Sequence, residues 1–142
     1  MSTRAPGIAL HNPCDLERGG DTFHYDGEVI PSSHPVLRQF ISDAWGMRAC
    51  LVDFQVYITR DGVKTLGEAI ARYAPPEEND TTAYTAAVCD ACSATSDAPF
   101  ATAWLHAHAA YMLDVITVRE VGMTYPAATV ALAISLAWDE GD

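Results

Sequence analysis

Met47-Arg-Ala-Cys-Leu-Val-Asp-Phe-Gln-Val-Tyr-Ile58 sets Met47, Cys50, Leu51, Phe54, Tyr57 and Ile58 at steps of three and four. Side chains three and four apart share one side of an α-helix, so this stretch predicts an amphipathic helix of about four turns. Working outward, Asp61-Gly62 ends it. Thr65-Leu-Gly-Glu68 is a capping-box pattern, in which the threonine hydroxyl accepts from a first-turn amide and the glutamate reaches back. The helix it opens runs to about Tyr73, and Pro75-Pro76 closes it. Asp80 or Thr81 caps a third helix, Thr82–Cys92, and Ser93–Ala98 is a polar loop. Asp97-Ala-Pro99 starts a fourth, about Phe100–Glu120, apolar on most of its circumference, as buried central helices are. Gly122 stops it, and Thr124-Tyr-Pro126 opens a last helix, Pro126–Trp138.

Upstream of Asp43 the chain changes character. Pro6, Gly7, Pro13, Gly19, Gly20, Gly27, Pro31 and Pro35 recur too densely for a long helix. Phe23–Tyr25 and Glu28–Ile30, joined by the tight-turn signal Asp26-Gly27, predict a small hairpin. Val36–Ile41 reads as the start of a helical stretch. The expectation is one mainly α, compact domain over 1–142, of about five helices. It comprises an irregular or hairpin-bearing N-terminal flap (1–42), a helical core (43–138) and an acidic tail (139–142).

The 142 residues carry 19 acidic and 8 basic side chains, a net charge of −11, with 49% apolar residues. That apolar share argues against disorder. The acidic balance argues against nucleic acid, whose binding needs cations to displace counterions, and against anionic membranes. No apolar run reaches the roughly 18 residues of a spanning helix, and the N-terminus lacks the apolar core of a secretory signal. Cys14, Cys50, Cys89 and Cys92 read as free thiols of a protein made in a reducing cytoplasm.

Three stretches resemble one family. Pro6-Gly-Ile-Ala-Leu-His-Asn-Pro-Cys-Asp-Leu16 is similar to the Arg-Gly-Ile-Arg-Asn-Asn-Asn-Pro-Gly-Asn-Ile opening of small tailed-phage and prophage virion proteins. Gly46-Met-Arg-Ala49 and Thr65-Leu-Gly-Glu-Ala-Ile-Ala-Arg-Tyr-Ala-Pro-Pro-Glu-Glu-Asn-Asp-Thr-Thr-Ala-Tyr84 resemble that family's Gly-Ile-Arg-Ala and Ala-Pro-Pro-x-Glu-Asn-Asp-Thr-x-x-Tyr blocks. Val118-Arg-Glu-Val-Gly-Met-Thr-Tyr-Pro126 is similar to its Glu-Asn-Gly-x-x-Pro-Tyr close. The resemblance implies a virion-associated structural protein, located in the virion, made in the host bacterial cytoplasm and contacting other particle proteins. Some of these proteins are linked to local peptidoglycan degradation, which implies a lysozyme-like or lytic-transglycosylase-like glycosidase as the second reading. Here the family's Gly-Asn stands as Cys14-Asp15 and its Glu-Asn-Gly as Glu120-Val-Gly122, replacing amides able to grip a sugar or hold a turn.

Glycosidic cleavage needs a carboxyl that keeps its proton near neutrality. Glu120 is the first candidate acid, because a helix C-terminus disfavours a carboxylate anion. Glu78, in the carboxylate-rich turn after Pro75-Pro76, is the second; its structural role would be a tie to Arg72 or Arg48. Asp80 reads as a cap. Asn12, Asp15, Tyr25 and Asn79 are the candidate sugar-binding residues. His106 and His108 are two apart and point away from each other, and Cys89-x-x-Cys92 lies at a helix C-terminus, where the dipole does not favour thiolate. No metal or cofactor is expected. A third reading is an acidic inhibitor of a host nucleic-acid-binding protein.

Overall fold

The computed structural model describes residues 5–19 and 23–139. Among them are six helices: α1 (Pro6–Ala9), α2 (Asp43–Thr59), α3 (Leu66–Tyr73), α4 (Thr81–Cys92), α5 (Thr102–Val121) and α6 (Ala127–Trp138). No β-strand occurs among the described residues, only the isolated bridges Glu17–Leu37, Glu28–Phe40 and Thr65–Pro99. The protein is mainly α, as its periodicity predicts. The chain divides into two compact units, one of Met1–Val52 with Ile116–Asp142, the other of Asp53–Val115. The last three residues of the acidic tail lie outside the described residues.

In the first unit, α1 is one turn opened by Pro6, too short to leave a periodic signal. The expected hairpin is a correction. Asp26-Gly27 does turn, with Glu28 N donating to Tyr25 O (3.1 Å) and Gly27 at φ 78°. Its second arm, however, pairs elsewhere: Val29 N donates to Gln39 O (2.8 Å), and the turn's Gly27 O accepts from Ile41 N (2.9 Å). Val36–Ile41 is therefore extended, not helical, because its backbone groups bond to Leu10, Leu16, Arg18, Gly27 and Val29 instead of to each other. Leu10, Leu16, Phe40, Met47, Leu51, Val121 and Val130 are buried here.

The second unit contains the cap motifs read from sequence. Glu68 N donates to Thr65 Oγ1 (3.2 Å), and the Thr65 hydroxyl also reaches Glu68 Oε1 (3.2 Å). Ala83 N donates to the N-cap Asp80 Oδ1 (3.1 Å). Phe54 stacks on Tyr73 (5.1 Å between centroids, 26° between planes), Phe100 meets Phe54 edge-on (6.0 Å), and Tyr84 meets Tyr73 edge-on (6.3 Å). Leu66, Ile70, Val88, Leu105 and Met112 are fully buried beside this aromatic set.

α5 is not buried on most of its circumference as its composition predicts, and α6 is likewise exposed along much of its length. On α5, Leu105, Ala109, Met112, Leu113 and Ile116 are inward, while Ala103, Ala107, Ala110, Tyr111 and Val118 are exposed. On α6 only Val130 and Ala133 are buried, and Leu132 is 52% exposed. The outward apolar residues are mostly alanines. An alanine methyl gains little from burial, so an apolar circumference rich in alanine does not force a helix inside.

Candidate functional site

Two of the candidate sugar-binding residues of the first unit, Asn12 and Asp15, lie in a tight turn, 10–16, whose backbone bonds to Arg38 and Phe40. Asn12 is 0% exposed. Its Nδ2 donates to Leu16 O (2.9 Å) and to Arg38 O (2.9 Å), and its Oδ1 accepts from Leu16 N (3.0 Å). All three bonds go to backbone, so the amide closes the turn and ties it to a residue 26 positions away. Arg38 N returns a bond to Leu16 O (2.9 Å) and Phe40 N one to Leu10 O (2.9 Å).

Asp15 follows in the same turn, its N donating to Asn12 O (3.1 Å). His11 and Asp15 both have positive φ, 52° and 53°. Asn, Asp and His are the side-chain-bearing residues that best tolerate this left-handed conformation. The Asp15 Oδ1 atom is buried without a hydrogen-bond partner among the described residues. Burial, and then the negative charge of Glu17, raise its carboxyl above the ordinary 3.8, while His34 acts in the lowering direction.

Two glycines of the resembled motifs are required by close approach. A Cβ on Gly7 would meet Asn12 O and Asp15 Oδ1, both at 2.5 Å. A Cβ on Gly46 would lie 2.2 Å from His11 O. Helix α2 thus passes against the 10–16 turn with no room for a methyl.

Tyr25 has its ring covered by the Arg38 guanidinium (4.9 Å to centroid), with Phe23 edge-on at 4.8 Å. Arg38, 3% exposed, is the organiser that sequence reading missed. It forks onto both oxygens of Glu28 (2.9 and 3.1 Å) and donates to Glu17 O (3.1 Å) and Phe23 O (3.0 Å). The available signal was one arginine between Leu37 and Phe40, in a segment with few other charges.

Glu120 is half-buried in the last turn of α5. Gly122, at φ 80°, closes the helix by donating to Thr117 O (3.1 Å) and Val118 O (3.0 Å), and no atom lies within 4 Å of where its Cβ would be.

In the second unit, Glu78 is exposed in the turn after Pro75, with its N donating to Pro75 O (3.0 Å). Arg72 pairs with Asp61 (2.9 Å) in place of the expected Glu78, and Arg48 reaches Asp26 (3.4 Å). Asn79 turns its Nδ2 back to Pro75 O (3.4 Å). The Thr81 hydroxyl donates to Ala74 O (2.6 Å) at the C-cap of α3, so Ala74–Thr81 works as a helix-to-helix connector. A shallow groove of about 500 Å³ beside it is lined by Gly67, Thr82, Thr85, Cys89 and Ser96, with none of the candidate site residues.

Cys89 and Cys92 occupy the final turn of α4. Burial, then the neighbouring Cys89, push the Cys92 thiol up to about 11; burial and Asp90 raise Cys89. His108 stacks on Trp104 (4.1 Å, 18°) and donates from Nδ1 to Trp104 O (2.8 Å). Among the described residues no group of three or more His, Cys, Asp or Glu is placed to hold a metal ion. Among them, too, no helix is long and apolar enough to cross a membrane.

This arrangement belongs to a mainly helical chain in which Asn12 ties backbone to backbone and Gly7 and Gly46 allow close approach. No family model matches the chain. It is similar to protein P5 of Pseudoalteromonas phage PM2, with 32% identity over 85 residues, 59% of this chain and 53% of that protein. The chain therefore spans about half the length of that relative, and the likeness is to a phage protein.

Proposed function

We propose that the protein is a structural component of a phage particle, located in the virion and working by contact with other particle proteins. The observation that carries this reading is Asn12. The most chemistry-rich residue of the resembled opening is wholly enclosed and bonded to three backbone groups. Gly7, Gly46, Asp80 and Thr81, drawn from the same motifs, likewise serve turns, close approaches and caps. Residues shared for folding are what a protein needs when its function lies in its surface. The likeness to a phage protein supports the same reading.

The second reading, peptidoglycan cleavage with Glu120 as acid, has one observation in its favour. Glu120 is half-buried at a helix end beside the open flank of Gly122.

The test is quantitative mass spectrometry of purified particles from a host producing the phage that encodes this chain. A fixed copy number per particle, retained through salt and density-gradient washing, is expected. Absence from washed particles alongside abundance in the lysate overturns the structural reading.

A further inference from the structure

Residues 32–37 of the first unit close on themselves through one imidazole. The Ser32 hydroxyl donates to Leu37 O (2.7 Å), and His34 N donates to Ser32 Oγ (3.1 Å). His34 Nδ1 then accepts from two amides at once, Val36 N (3.1 Å) and Leu37 N (3.0 Å). Only a ring nitrogen without a proton accepts, so this geometry requires neutral His34 with its proton on Nε2. A proton on Nδ1 turns an acceptor into a third donor facing two donors. Both bonds are lost and the N–H dipoles repel.

Charged groups surround the turn. Among the described residues, Asp15 interacts electrostatically with His34, and the Glu17 backbone is bridged to that of Leu37. The Arg18 guanidinium donates to Pro35 O. Arg38, next in sequence to Leu37, is paired with Glu28. Imidazoles as a class change charge within about pH 5–8.

We propose that protonation of His34 unlatches the 32–37 turn, making this part of the surface a pH-responsive segment, closed at neutral pH and open in acid. The inference stands independently of the particle reading. When the latch opens, the Val36 and Leu37 amides pass to solvent, while the Asn12-centred turn has no bond through the imidazole and stays closed.

The test is amide hydrogen exchange by NMR on the full chain near pH 7.5 and pH 5.0, corrected for intrinsic rates. Protection of Val36 and Leu37 should fall roughly tenfold or more in acid, with Leu16, bonded to Asn12 Oδ1, unchanged. His34→Asn keeps an acceptor that does not titrate and should remove the pH dependence. His34→Ala should be open at both pH values. Equal protection of the wild type at both values overturns the proposal, as does a His34→Asn variant that loses protection in acid just as the wild type does. The ¹⁵N shifts of the His34 ring give a readout free of any variant: a proton on Nδ1 near pH 7.5 would also overturn it.

Discussion

At Asn12, one side chain satisfies two carbonyls and one amide that have no water to turn to. Asn12→Ala leaves all three unpaired, and each buried orphan costs about 1–3 kcal/mol. With partial relaxation, chemical denaturation should show a loss of about 2–4 kcal/mol. A loss below about 1 kcal/mol would mean that the turn closes without the amide. Three residues on, Asp15 has the opposite character. Its carboxyl is raised on folding, so the native state holds the proton more tightly than the unfolded chain. The resulting penalty is absent below the ordinary value of 3.8, grows as pH rises toward the folded value, and is complete above it. Asp15→Asn removes the charge and suits φ 53° equally well. It should stabilise the protein at neutral pH by roughly 0.5–1 kcal/mol, a figure reduced for solvent on the open side of the residue, with the gain gone in strong acid. Unchanged melting at neutral pH would contradict this account of Asp15. Sequence reading singled out both residues as candidate sugar binders, without the bonds that enclose Asn12. Asn12's third partner is Arg38 O, 26 positions away, and no local pattern announces such a bond.

The elements divide by the range of the bonds that make them. Helices α3 and α4 were legible nearly to the residue, because Thr65, Asp80 and Pro75-Pro76 act within a turn of where they stand. The pairings of residues 16–18 and 27–41 were not legible, because they run over long separations around Arg38 and Glu28, and the Asp26-Gly27 signal marks the turn without naming the partners. At this scale Gly46 is the sharpest test. Its Cα faces His11 O so closely that a methyl, 2.2 Å from that oxygen, must move either α2 or the 10–16 turn. Gly46→Ala should cost about 2–4 kcal/mol despite alanine's better helix propensity. A stabilised variant, as propensity alone predicts, would disprove the close approach. Asp80→Ala, which removes only a cap, should cost about 1 kcal/mol and serves as the milder comparison.

For the molecule as a whole, the acidic excess acts on every conformation of the chain. The net charge is −11, and Arg38, Arg48, Arg60 and Arg72 each pair with a carboxylate of the chain itself. The uncompensated remainder is anionic and self-repelling. Raising NaCl from about 10 to 150 mM should raise the melting temperature, because the Debye length shortens to about 8 Å and long-range repulsion is screened. A fall would mean that favourable surface pairs outweigh the repulsion. The central proposal is that the protein is a structural component whose motif residues Asn12, Gly7, Gly46, Asp80 and Thr81 serve the fold. Its most direct test is the release of soluble fragments from purified peptidoglycan by the recombinant protein, beside Glu120→Gln and Glu78→Gln. The account predicts no release by any of the three, with both variants melting close to wild type. Release by the wild type that disappears in Glu120→Gln or Glu78→Gln, with the variant still folded, would contradict it and identify the acid.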